Sequence, residues 1–377
     1  MKEISDKRVL ILSHLWPGNP QSTNPQSGIY VYDQIAEISK IIKSNVIVPL
    51  SIIPRMKEII NFRGSLIRTI KNRISYKPDK AESLKYLSLM GKHFDSVFIS
   101  FALLIRKNKE YDIIHCHTMF PDGLAGMIVS FITGKPFIVT IHGSEIMFID
   151  SHPADKVLAK MILQRAKSVI SVSELMKEKI LNITDGKSNI SVIHNGIREM
   201  FPMLEKKKVI FFAGKLTEVK DPEMLLDAFE IFSTKEKNYK LVIAGDGKLR
   251  KKLEVKINKK HLFEKVLLLG YIDRERIKEN FSKAFLLAIT SRSEGFPTVI
   301  YESFSSGTPI VSFNVGGVKE AVRDGENGFI VKIRNAESFA EYLNKAVNTN
   351  WNREIIRKEA ENFLWEKLSK KIVELYK

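Results

Sequence analysis

Residues 291–302 read Ser-Arg-Ser-Glu-Gly-Phe-Pro-Thr-Val-Ile-Tyr-Glu, directly after the apolar run 285–289. An uninterrupted apolar run of this length reads as a strand covered on both faces. Gly295 and Pro297 prevent an immediate helix, and from Thr298 onward the chain reads as helical. Glu294 is therefore expected in a strand-to-helix loop, and Glu302 about one turn into the helix. Working outward, similar apolar runs recur at 9–12, 46–48, 113–115, 136–141, 168–172 and 190–193. A second set follows at 209–213, 241–244, 266–269, 309–312 and 329–331. Helical patterns alternate with them. This is the signature of α/β architecture with parallel sheets and helices on both sides. The expectation is two doubly wound, Rossmann-like domains, 1–200 and 201–355, with facing crevices at the strand C-termini. The polar stretch 197–208 separates the two sets. The tail, 356–377, reads as a helix that packs back on the first domain.

The chain has 377 residues, which suits two domains better than one. No apolar stretch approaches the ~18 residues of a membrane span. The longest candidate, 97–105, is interrupted by Ser100. The N-terminus lacks a long apolar leader core, and the single Cys116 cannot form an internal disulfide. A reducing, cytoplasmic setting is expected. Net charge is +17, which calls for an anionic partner. Residues 55–80 carry eight Lys/Arg and two acidic groups among apolar side chains. They read as a basic amphipathic helix, either a solvated face or a surface for anionic lipid on the inner face of the cell membrane. Nucleic acid is not expected, because no helix-turn-helix, zinc or aromatic RNA signature is present.

Several positions carry chemistry. A helix N-terminus beside a glycine loop presents N–H groups to an anion. Glu294 and Glu302 place carboxylates at the same mouth, where they accept from sugar hydroxyls. A diphosphate attached to a polyol matches both. Lys215 and Lys220 flank the turn 214–222 after strand 209–213, placed to neutralise a diphosphate. Asp221 or Thr217 caps the following helix, with Pro222 in its first turn. Gly28, in the loop region after the first strand, lets backbone approach a phosphate. His142 ends strand 136–141. His117 and Asp122 border a second strand end, and His115 and His117 point to one side of their strand. No ligand set at metal spacing and no Asp-x-Asp triplet is seen, so no metal and no cofactor are expected. No Gly-x-Gly-x-x-Gly follows a strand, and 245–248 lacks Walker A spacing.

These residues resemble the retaining glycosyltransferases of family four, which have the GT-B fold. The likeness is carried by Glu294-Gly-Phe-Pro-Thr-Val-Ile-Tyr-Glu302, similar to the family's Glu-x7-Glu motif, with Ser306-Gly-Thr-Pro309 and Val315-Gly-Gly317 behind it. Residues 214–220 are similar to the Gly-Arg-Leu-x-x-x-Lys phosphate motif, with Lys215 in place of arginine. Lysine keeps the charge and loses the bidentate fork. Pro121-Asp-Gly123 and 140–145 look like first-domain motifs of polysaccharide-type members.

The resemblance implies a nucleotide-diphosphate sugar donor and a glycan or lipid-linked acceptor. It implies that Glu302 binds the ribose, and that Glu294 with Gly295, Phe296 and Pro297 holds the transferred sugar. It implies Lys215, Lys220, Thr298 and the Gly28 N–H on the diphosphate, and His142 at the sugar. Gly270, Tyr271 and Ile272 would lie beside the base, and His117 and Asp122 on the acceptor side. It further implies a front-face, metal-independent reaction in which Glu294 is no nucleophile. A catalytically silent nucleotide-sugar-binding scaffold is the alternative, followed by another GT-B enzyme such as an epimerase or phosphorylase.

Overall fold

The computed structural model describes residues 6–17, 28–51, 77–86, 92–105, 110–147, 149–151 and 153–377. The chain divides into two compact units: Met1–His194 with Trp365–Lys377, and Asn195–Leu364. Positions 55–76 of the basic segment anticipated at 55–80 lie outside the described residues, and 77–80 form a loop and turn.

In unit 1 the strands are β1 (Arg8–Leu12), β2 (Lys43–Ser51), β3 (Glu82–Tyr86), β4 (Ile113–Cys116), β5 (Phe137–Ile141), β6 (Ser168–Ser171) and β7 (Ile190–Val192). They form a parallel sheet in the order β3-β2-β1-β4-β5-β6-β7. The main helices are α1 (Ile29–Ile41), α2 (Lys92–Ile105), α3 (Leu124–Thr133), α4 (Pro153–Arg165) and α5 (Glu174–Thr184). Apart from Arg8 at the start of β1, the central strands are buried, as their continuous apolarity requires. The order reverses between β1 and β4, so the loops after these two strands flank the switch point.

Unit 2 repeats the plan with β8 (Lys207–Ala213), β9 (Lys240–Ala244), β10 (Val266–Gly270), β11 (Ala284–Ile289), β12 (Ile310–Phe313) and β13 (Gly328–Val331). The order is β10-β9-β8-β11-β12-β13, all parallel. The switch point lies between β8 and β11. Around the sheet are α6 (Pro222–Lys235), α7 (Arg250–Lys259), α8 (Arg274–Lys283), α9 (Val299–Ser305), α10 (Ala336–Val347) and α11 (Arg353–Ala360). Side chains of β8, β9, α6 and α10 meet in one apolar core.

The tail is two helices with different allegiances. α11 stays in unit 2, where the Arg357 guanidinium donates to the carbonyls of Phe201 and Ser305. Leu364 is extended and breaks the helical run. Only α12 (Trp365–Glu374) returns to unit 1, where Trp365, Leu368, Ile372 and Val373 join Val31, Ile35 and Ile38 of α1 in the core. The return therefore begins at Trp365 rather than at 356. Among the described residues no helix is long and apolar enough to cross a membrane.

Candidate functional site

The chemistry-bearing residues of unit 2 lie on loops at the C-terminal ends of its strands. The loop after β8 ends at Asp221, whose carboxylate caps α6 by accepting from the Met224 N–H. Asp221 sits in the left-handed region at φ 48°, which a short polar side chain tolerates. That turn presents Lys220 to the loop after β11. There the Lys220 ammonium meets Glu294 Oε1 at 2.5 Å, and the Ser291 hydroxyl donates to the same oxygen at 2.5 Å. Glu294 is nearly buried, its side chain 10% exposed. Two residues predicted separately are thus one ion pair across the switch point.

Further bonds lock these loops. The Thr290 hydroxyl donates to the carbonyls of Lys220 and Asp221, and the Arg292 N–H to Val219 O at 2.7 Å. Arg334, just beyond β13, donates to the Ser291 and Thr290 carbonyls and pairs with Asp221 Oδ2 at 2.9 Å. Its guanidinium lies 4.5 Å from the Phe313 ring centroid. Behind Glu294, the loop after β12 closes in: a Cβ on Gly316, at φ +54°, would stand 2.1 Å from Glu294 O. Only glycine fits there. The Gly317 N–H donates to Gly295 O at 3.1 Å.

Glu302 lies in the first turn of α9, half-buried, with Thr298 and Pro297 just before it. Phe296 is buried and stacks on Tyr301, which stacks in turn on Phe363. Gly270 ends β10, its carbonyl accepting from the Gly245 N–H at 2.8 Å. Tyr271 is exposed and Ile272 buried. Lys215 is exposed on the β8 loop.

Unit 1 has its own constellation at the ends of β1, β4 and β5. His14, just past β1, holds Asp122 Oδ2 at 2.9 Å through Nδ1, and its backbone N–H donates to the same oxygen. Asp122 is fully buried, so the anticipated acceptor-side carboxylate is sequestered. The Thr118 hydroxyl also donates to it, at 3.2 Å. Glu145 accepts from the Met119 N–H at 2.7 Å. Burial pushes its carboxyl up to about 7.

His115, His117 and His142 form a layer. His115 and His117 rings lie 4.4 Å apart on one side of β4, as the strand period requires. His115 bonds the hydroxyl of Tyr376, two residues past α12, and the Thr140 hydroxyl, each at 2.7 Å. Burial, then His142, holds it down to about 3. His117 is buried and held well below the usual imidazole range, by burial first. His142 stacks on His117 and meets the edge of Tyr30 at 4.9 Å. Gly28 precedes α1 at φ +83°, where a Cβ would stand 2.4 Å from the Leu15 carbonyl carbon. Among the described residues no group of three or more His, Cys, Asp or Glu is arranged to hold a metal ion.

Sequence reasoning did not single out His14, Arg334, Ser291 or Tyr30. The signal for His14 and Arg334 is simple: each lies within three residues of a buried strand's C-terminus.

Residues 196–363 match the family described as Glycosyl transferases group 1, and residues 58–199 match Glycosyltransferase Family 4. The two matches run end to end over most of the chain. An uncharacterised glycosyltransferase of Methanocaldococcus jannaschii is 29% identical over 71% of this chain and 75% of its own. This chain belongs to the family-4-like glycosyltransferases. Its fold is GT-B, as the resemblance implied. A crystal structure of Anabaena Alr3699/HepE in complex with UDP and glucose superimposes with a TM-score of 0.73 at 19% identity, covering 98% of each chain. This glycosyltransferase is also similar to the Campylobacter jejuni alpha-1,4-N-acetyl-D-galactosaminyltransferase acting on a diNAcBac-PP-undecaprenol-linked glycan. The identity is 36%, over 40% of this chain and 42% of that one.

Proposed function

We propose that this glycosyltransferase transfers a sugar from a nucleotide-diphosphate sugar to a glycan or lipid-linked acceptor, with retention and without a divalent metal. The observation that carries the reading is the meeting of Lys220 and Glu294 across the switch point of unit 2. It lies inside the segment that matches Glycosyl transferases group 1. Lys220 has three N–H donors, and Glu294 takes one. The others meet the departing diphosphate, with Lys215 and Thr298 beside it. Glu294 and the backbone of Gly295, Phe296 and Pro297 orient the transferred sugar, and Glu302 takes the ribose hydroxyls. Gly270, Tyr271 and Ile272 receive the base. In unit 1, Gly28 and His142 serve the diphosphate and the sugar, while His117 and Asp122 shape the acceptor side.

Charge develops on the leaving phosphate and on the anomeric carbon. Lysine charge stabilises the first, and the leaving phosphate takes the acceptor's proton. The UDP-bound Anabaena structure supports the donor class, and the Campylobacter relative's name supports a lipid-linked acceptor. Such work suits a cytoplasmic enzyme peripheral to the membrane.

The test is a thermal-shift screen with nucleoside diphosphates, followed by product analysis with the matching nucleotide-sugar. A ligand at 100 times its Kd adds ~2.7 kcal/mol of stability. Lys220→Ala should lower kcat by about 10²–10³-fold. Normal turnover in Lys220→Ala, or binding with no turnover in the wild type, refutes the proposal; the second outcome describes a scaffold.

A further inference from the structure

Asp221 carries more than a helix cap requires. Its Oδ1 accepts from the Met224 N–H, which completes the start of α6. Its Oδ2 is not needed for that bond, and it takes Arg292 at 2.8 Å and Arg334 at 2.9 Å. Serine or asparagine would cap the helix alone. The backbone at φ 48° favours glycine. A carboxylate at this point is therefore explained by the guanidinium groups it holds.

Arg334 reaches this carboxylate from a distance. It follows β13, whereas the loops it binds follow β8 and β11, and β12 lies between. Strands are spaced ~4.8 Å apart, so the step from β13 to β11 is ~10 Å, which a long side chain spans. Phe313, the last residue of β12, lies under the guanidinium, 4.5 Å from it to the ring centroid. At the far end Nη1 donates to Ser291 O at 2.9 Å, and Nη2 to Thr290 O at 2.8 Å and to Asp221 Oδ2. Acceptors spread in this way suit a planar fork and not the point charge of a lysine.

These bonds close a ring around the Lys220–Glu294 pair. Ser291 gives its carbonyl to Arg334 and its hydroxyl proton to Glu294 Oε1. Glu294 holds the Lys220 ammonium, and Asp221, next to Lys220 in the chain, returns to Arg334. The Thr290 hydroxyl, bonded to the carbonyls of Lys220 and Asp221, makes a rung across the ring. Loss of Arg334 opens the ring on both loops at once. We propose that Arg334 is a positioning residue: it fixes the Lys220 ammonium against the departing diphosphate, through Asp221 on one loop and through Ser291 on the other. This rests on Lys220 meeting that diphosphate and adds a residue to the reaction.

The test measures turnover of the nucleotide-sugar in Arg334→Gln and Asp221→Asn, each checked for folding by its circular dichroism melt. Asparagine keeps the cap and tolerates left-handed backbone, so the second variant decides if the first does not fold. In both, kcat per folded molecule should fall about tenfold or more. The donor KM should rise less, because the charge that Lys220 meets grows as the diphosphate leaves. Unchanged kcat per folded molecule, whatever the melt or KM shows, overturns the proposal. In the Lys220→Ala protein, Arg334→Gln should cost less than about twofold, and a loss there as large as in the Lys220 protein means independent action and overturns it too. If the wild type turns over no nucleotide-sugar, the donor reading fails on its own, and the positioning is read by calorimetry with inorganic pyrophosphate. Arg334→Gln should then weaken binding about fivefold or more. Equal affinity with and without Arg334, or no binding by the wild type, overturns the proposal.

Discussion

Glu145→Gln isolates a buried carboxyl whose ionisation works against folding. The side chain is isosteric, and its carbonyl oxygen keeps the bond from the Met119 N–H. The Glu145 carboxyl is raised from 4.5 to about 7 by burial, opposed by the Met119 bond and by His14. Between those values the folded protein holds the proton and the unfolded chain has lost it. The folded state binds more protons, so stability falls as pH rises through this window. The cost is complete above pH ~7. The rise from 4.5 to about 7 corresponds to about 3 kcal/mol.

His115 and His117 act in the opposite sense. Their folded-state values are lowered, so unfolding takes up protons below the ordinary imidazole range and stability falls toward acid. Both histidines remain in the variant, so the difference between the two proteins reports Glu145. Urea unfolding should be followed by tryptophan fluorescence in a Trp351→Phe background, which leaves Trp16 and Trp365 in the unit 1 core. At pH 4, below both values, the two proteins should unfold alike. By pH 8 the variant should be more stable by about 3 kcal/mol. A difference that stays flat from pH 4 to 8 refutes the reasoning.

Other substitutions read the loops. Gly316→Ala drives a Cβ into Glu294 O at positive φ, and should cost unit 2 about 1–3 kcal/mol and weaken nucleoside-diphosphate binding, measured by calorimetry. Asp221→Ala removes the α6 cap and the carboxylate facing Arg292 and Arg334; a loss of about 2–3 kcal/mol in urea is expected, roughly 1 of it from the cap. Tyr376→Phe strips the buried His115 ring of one partner and should cost unit 1 about 1–3 kcal/mol, with kcat unchanged.

The sequence made the parallel strands legible because they are apolar on both faces. β3 escaped for the matching physical reason. Glu82-Ser-Leu-Lys-Tyr86 is an edge strand in which only Leu84 and Tyr86 are buried, so it alternates and looks like loop. The division of the tail was equally hidden. No glycine or proline marks the break at Leu364; extended backbone there, with the Ile197 N–H donating to Phe363 O, ends one helical path and starts another. Of the site, Glu294 and Lys220 were visible as residues, but their contact was not. It depends on β8 and β11 being neighbours although Lys220 and Glu294 lie 74 positions apart. Arg334 and His14 were invisible for a similar reason: each acts on a loop that topology, not sequence, brings alongside.

The two units solve one geometric problem in the same way. At a switch point the loops after two adjacent strands leave in opposite directions, and nothing in the sheet ties their tips together. In unit 2 Lys220 and Glu294 make that tie, and in unit 1 His14 and Asp122 do. Both ties join a nitrogen base to a carboxylate, and both leave functional groups at the crevice. They differ in what they permit. Glu294 keeps a partly exposed ammonium beside it, 30% accessible, which suits a site that must meet an incoming anion. Asp122 is fully buried and holds an imidazole by its Nδ1, fixing the ring's orientation. One tie leaves a cation partly open to solvent, and the other fixes the orientation of a ring on a buried carboxylate.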